Sequence, residues 1–161
     1  MAIMLGWRRY YNNTPTPPHN IPFVAIGTGI LWFGWFGFNA GSGLAADGVA
    51  GNAMLVTHIA AATAGFVWAL LDWFINKKPT TIGVCTGIVA GLAAITPTAG
   101  FIDVRAAIIV STISSITCFI MVGYIKIKLG YDDSLDAFGV HGIAGIIGSL
   151  LVGIFASPAI Q

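Results

Sequence analysis

The chain has 161 residues, 57% of them hydrophobic and 8% charged, with a mean hydropathy of +0.87 and a net charge of +1. An average soluble domain is about 25% charged, so a water-soluble domain is excluded although the length would suit one. The near-neutral charge sets nucleic acid aside as a partner.

The N-terminus does not read as a signal peptide. Trp7, Arg8, Arg9, Tyr10 and Tyr11 stand where an uninterrupted apolar core should be. Asn12 to Asn20 is Pro-rich and reads as non-helical, ending in Pro17-Pro18-His19-Asn20. Pro22 then falls in the first turn of a helix, where a missing N–H costs nothing.

A spanning helix needs about 20 apolar residues, because a ~30 Å hydrocarbon core is crossed at ~1.5 Å per residue. Ile21 to Ala40 is that long and uncharged, as are Gly48 to Leu71, Pro79 to Ile102, Ala106 to Ile125 and Ala137 to the C-terminus. These stretches predict membrane helices near 20–42, 50–75, 81–97, 104–128 and 137–157. Asn76-Lys77-Lys78-Pro79 reads as a turn. Thr96-Pro97-Thr98-Ala99-Gly100 should break the third helix, and Gly130-Tyr131-Asp132-Asp133-Ser134 should link the fourth to the fifth. The period-two alternation of a strand is absent, so the expected class is an all-α integral membrane protein.

With five passes, Arg8, Arg9, Lys77, Lys78, Lys126 and Lys128 fall on one face of the bilayer, and Arg105 falls on the other beside Asp103. The positive-inside rule makes the first face cytoplasmic and places the C-terminus outside. Gly83, Gly87 and Gly91 form a small-residue seam on the third helix, and Gly139, Gly142, Gly145 and Gly148 form one on the fifth. Both seams would admit close helix contact. Cys85 and Cys118 lie in apolar stretches and read as buried small residues, without a disulfide or a metal.

The polar residues inside the spans carry the functional question. His141 lies one turn into the fifth helix, and an ionisable group in lipid normally faces protein or a pathway. A neutral imidazole has one donor and one acceptor, so it can relay a proton, hold a small polar solute, or bond to a helix neighbour. Asp136 begins the same helix, where an acid suits the helix N-terminus. His58 lies in the second helix, facing another helix or a pore, and His19 precedes the first helix at the interface. The first helix carries Trp32, Phe33, Trp35, Phe36 and Phe38, then Asn39 and Ser42. Such aromatics either anchor a helix at the bilayer surface or line a vestibule that attracts a small cation. No nucleophile–base or metal-ligand constellation points to an enzyme.

Several blocks together resemble the ammonium transporter family (Amt/Mep/Rh). They are Pro18-His19-Asn20-Ile21-Pro22, Gly34 to Ser42, Lys78-Pro79-Thr80, Gly91 to Gly100 with Ile95-Thr96-Pro97, and Asp132-Asp133 followed by Asp136 to Gly142. Their order and spacing match from about Gly6 onward. The resemblance implies an eleven-helix fold of two inverted five-helix halves, with a narrow hydrophobic pore in each subunit of a homotrimer. In that register the chain, residues 1–161, is a partial ammonium transporter domain comprising the sixth to tenth helices.

The resemblance also assigns roles. His141 corresponds to the second of twin pore histidines. Phe38 corresponds to an outer-gate phenylalanine, Ser42 to the serine of the ammonium-recruitment site, and Trp35 to a pore-lining tryptophan. Asp136 and Thr96 correspond to polar positions that support the path. The implied activity is ammonium/ammonia transport across a cell membrane, with membrane lipid as surroundings, no cofactor, and a P-II regulatory protein as a candidate partner. The first pore histidine belongs to the family's fifth helix, upstream of Gly6, and His58 is not its substitute. The expectation is therefore a piece of a longer protein. A non-conducting fragment and an ammonium-sensing subunit are the alternatives.

Overall fold

The computed structural model describes Met4, residues 6–8 and residues 18–160. Arg9, Tyr10, Tyr11 and residues 12–17 of the Pro-rich stretch lie outside the described residues. The helices are α1 (Ile21–Gly41), α2 (Gly48–Asn76), α3 (Thr81–Ile95), α4 (Val104–Leu129) and α5 (Phe138–Phe155), and there is no strand among the described residues.

The first four helices begin on side-chain caps. Asn20 accepts from the Phe23 N–H at 3.0 Å, Asp47 from Ala50 at 3.0 Å, Thr80 from Gly83 at 3.0 Å and Asp103 from Ala106 at 2.8 Å. Each cap satisfies a donor that the helix leaves open and that lipid cannot satisfy.

Four helices are long and apolar enough to cross a bilayer, and α3 is the exception. Its 15 residues rise about 22 Å, short of the ~30 Å core. Of the five helices expected from the sequence, four are full spans, and the third, expected to break at Thr96–Gly100, is the short one. The chain leaves the helix at Thr96, and Pro97 has no N–H with which to continue it. Turns take over: the Thr98 N–H bonds to the Ile95 carbonyl at 2.9 Å, and the Phe101 N–H to the Thr98 carbonyl at 2.9 Å. Thr98, Ala99 and Ile102 are buried, and Asn52 of α2 donates to the Ile102 carbonyl at 2.9 Å. Irregular backbone survives at membrane depth only where protein covers it in this way.

Although shortest, α3 is central and packs against the other four helices. Its glycines make that possible. A Cβ on Gly87 or Gly91 would collide with the carbonyls of Ala64 and Ala60 on α2, and one on Gly83 would strike the Asp72 carboxylate. α4 joins the same seam through Ser115, whose hydroxyl donates to the Ala64 carbonyl at 2.8 Å. The α5 glycines act only in part. Gly148 sits against the Ala94 carbonyl and Pro97, and Gly139 faces Val122 of α4. By contrast, nothing lies within 4 Å of a Cβ built on Gly145, and the atoms nearest Gly142 belong to Phe138 of its own helix. Even three-residue spacing implies one continuous seam, but a π turn over Phe138–Gly142 shifts the register. A second π turn, Met121–Ile125, lies in α4 and touches the first. Beside them the Cys118 thiol donates to the Val140 carbonyl at 3.7 Å; Cys118 and Cys85 are both buried and outside any disulfide.

α1, α3 and α5 start at one end of the bundle, where Arg8, the Lys77-Lys78 turn and the Lys126–Lys128 end of α4 also lie. Arg8 pairs there with Asp132 at 2.8 Å. Asp72, buried at the same end, accepts from the Thr80 N–H at 3.2 Å, the Thr80 hydroxyl at 2.8 Å and the Asn76 amide at 3.0 Å. It ties the end of α2 to the start of α3.

The glycine contacts make a paired prediction. Gly148→Ala forces a methyl into the Ala94 backbone and should cost about 1–3 kcal/mol, the usual penalty of overpacking. Gly145→Ala should leave stability unchanged within about 0.5 kcal/mol. Thermal unfolding of the two variants in detergent, compared with the parent, checks both outcomes.

Candidate functional site

Helical spacing divides the polar and aromatic residues of α1 between two faces, with Trp32, Phe36 and Asn39 on one and Trp35, Phe38 and Ser42 on the other. The first face meets α2. The His58 ring lies 5.2 Å from Trp32 and 6.1 Å from Phe36, and the Asn39 amide donates to the Thr57 hydroxyl at 3.0 Å. The buried Trp32 indole N–H has no partner among the described residues. His58 thus sits in an aromatic cluster on a different face of α1 from His141.

The second face meets α3 and α5. The Trp35 indole donates to the Thr96 hydroxyl at 2.7 Å, and Thr96 donates onward to the Leu92 carbonyl at 2.8 Å. Because α3 stops at Ile95, Thr96 stands at the helix end within reach of the indole. The same indole lies parallel to the His141 ring, with centroids 6.2 Å apart and planes 10° apart. That spacing lies within the range of about 4.5–7 Å over which aromatic ring pairs interact. Phe38 meets Trp35 edge-on at 6.0 Å.

Two clefts flank this bridge. One, of about 290 Å³, is lined by Phe38, Asn39, Ser42, Thr96, Ala99 and Phe101. The other, of about 340 Å³, is lined by Thr28, Leu31, Thr86, Val89, Leu135 and His141. Trp35 is bonded to a wall of the first and stacked on a wall of the second. The Ser42 hydroxyl donates to the Phe38 carbonyl at 2.6 Å, so its oxygen keeps lone pairs for an incoming donor. Of the residues singled out in the sequence, Trp35, Phe38, Ser42, Thr96 and His141 therefore lie along one track.

Asp136 lies off this track. The sequence assigns it a capping or scaffold role at the start of α5; the capping carboxylate is Asp133, which leaves Asp136 the scaffold role. Asp133 accepts from the N–H groups of Ala137 at 2.9 Å, Phe138 at 2.9 Å and Gly139 at 3.1 Å. Asp136 instead has a left-handed backbone, φ +53°, and pairs with Lys126 of α4 at 2.6 Å. Asp133 and Lys126 are the residues that spacing did not single out. Their one signal was the cluster of three acids on a short loop facing two lysines.

The whole chain, residues 1–161, matches the family profile described as the Ammonium Transporter Family. The chain belongs to the ammonium transporter family. An ammonium transporter of Aquifex aeolicus is 50% identical over 157 residues, which are 98% of this chain and 36% of that protein. The crystal structure of Saccharomyces cerevisiae Mep2 superposes with a TM-score of 0.89 at 40% identity, covering 99% of this chain and 36% of Mep2. A solved structure titled "Sensor Amt Protein" superposes with a TM-score of 0.86 at 35% identity, over 98% of this chain and 39% of its own. The chain thus spans little more than a third of the length of these relatives. Family and helices together make it a multi-pass membrane protein.

The Trp35–Thr96 bond is the joint of the site. Thr96→Val keeps the shape but leaves the indole N–H unpaired, which should cost about 1–3 kcal/mol. The stack on His141 should loosen with it. Thermal unfolding reads the first effect, and the imidazole ¹⁵N resonances of His141 read the second through the lost ring current.

Proposed function

We propose that this chain supplies the second half of a narrow ammonium/ammonia pathway in a full-length transporter. The observation that carries the reading is the double engagement of Trp35, bonded to Thr96 on one side and stacked on His141 on the other, with a cleft on each side. The cleft with Ser42 and Phe38 is the recruitment side. There an ammonium ion meets a hydroxyl oxygen and aromatic faces, the two kinds of group that hold a small cation without a counter-charge.

The ion resists moving past Trp35 as an ion, because an unpaired charge in an apolar channel costs several kcal/mol or more. Desolvation favours the neutral form of an amine, so deprotonation at this boundary is reachable. Neutral ammonia then passes beside His141. The imidazole, with one donor and one acceptor, serves as one station of a histidine pair whose other member lies in the first half. Transport, not catalysis, is the activity proposed, with the complete protein a homotrimer in lipid.

The likeness to the sensor protein favours one second reading, an ammonium-sensing subunit that keeps the fold and signals through a further domain. A transport assay on the full-length protein separates the two.

His141→Ala in the full-length context should abolish selective ammonium uptake or change its selectivity, measured as ammonium-driven currents or uptake in proteoliposomes. Undiminished, ammonium-selective uptake by this variant would remove His141 from the pathway.

A further inference from the structure

We propose that Lys126 is a positioning residue for His141, acting through the Asp133–Asp136 turn. The inference rests on the reading of His141 as a pathway group.

Lys126 lies in a different helix from His141, and its side chain is 19% exposed. Its ammonium group bonds to two points of one turn, the Asp133 carbonyl oxygen and the Asp136 carboxylate. Asp136 is one of three non-glycine residues with positive φ among the described residues, a sparsely populated conformation that aspartate tolerates better than most, and the Lys126 pair fixes its carboxylate against α4. Once held, the turn presents the Asp133 carboxylate to three successive N–H groups, those of Ala137, Phe138 and Gly139. These open the π turn Phe138–Gly142, and His141 is its fourth residue. A π turn holds one residue more than the α turn it replaces, so relaxing it would swing His141 around the helix axis and off the Trp35 ring.

The matching π turn in α4 explains how Lys126 reaches that far. The Lys126 N–H bonds to the Met121 carbonyl, five residues back, which turns the lysine toward α5. Gly139 supports the arrangement, since its missing side chain lets the α5 π turn sit against Val122. Two wide turns in adjacent helices thus face each other. One aims the lysine and the other aims the histidine.

The test uses the full-length protein carrying this chain, reconstituted in liposomes, with initial rates measured against ammonium concentration. Lys126→Ala should lower the maximal rate about ten- to a hundredfold, the usual scale for a displaced pathway group. KM should stay within about twofold, because Ser42 and Phe38 are untouched. Lys126→Arg, which keeps the charge and can reach both oxygens, should restore most of the rate. A full rate in Lys126→Ala overturns the proposal. So does a loss that Arg fails to rescue and that tracks a fall in melting temperature, since that is a folding defect. If Lys126→Ala does not fold, Asp136→Asn takes its place, and an unchanged maximal rate there overturns the proposal equally. His141→Ala measured alongside separates the two failures. Full transport by that variant defeats the reading of His141, whereas its loss with normal Lys126→Ala kinetics defeats only the role of Lys126.

Discussion

The close approach of α3 to its neighbours is the constraint on which the rest of this structure depends. Helices in lipid gain nothing from hiding apolar surface from one another, so they hold together by contact distance and by polar bonds. Here the contact distance comes from Gly87, Gly91 and Gly148, which sit against the backbone carbonyls of neighbouring helices, and from Gly83, which leaves room for the Asp72 carboxylate. With α3 drawn in, Ser115 reaches the Ala64 carbonyl and Asn52 reaches the Ile102 carbonyl. Thr96, at the end of α3, comes within 2.7 Å of the Trp35 indole. A bulkier seam would separate these bonds before it exposed any core.

Much of the fold could be read from the chain. Uncharged stretches of about 20 residues give helices because lipid permits little else, and the breaks fall at Pro, Asn and paired charges. The path of the chain beyond α3 could not be read this way. Thr96-Pro97 marks the end of the helix although hydropathy runs unbroken from Pro79 to Ile102, but only packing shows that Thr98, Ala99 and Ile102 are then buried. The π turns were hidden for a similar reason. They depend on which carbonyl each N–H selects once α4 and α5 are packed, and residue type scarcely affects that choice.

The site divides along the same line. Trp35, Phe38, Ser42, Thr96 and His141 were legible through their resemblance to a family pattern, and the structure sets them along one face of α1 and the elements opposite it. The resemblance also marked Asp136 as a supporting position, but the division of labour among the acids at the start of α5 was not legible. Helix-capping rules point to Asp136 because it lies nearest the first turn. The left-handed backbone at that residue turns its carboxylate to Lys126 and leaves the cap to Asp133. Local rules fail where a residue's backbone is set by a partner from another helix. His58, by contrast, faces another helix, one of the two settings its sequence position allowed, against Trp32 and Phe36 of α1.

The shortness of α3 has an electrical consequence. Where a helix stops some way inside the bilayer and polar groups such as Ser42, Asn39 and Thr96 line the space beyond it, the insulating layer is locally thin. A transmembrane voltage falls mainly across insulating material and little across wet or polar space. In the proposed pathway, a charge beside Ser42 would then have crossed little of the field, and one moved past Trp35 would begin to cross the rest.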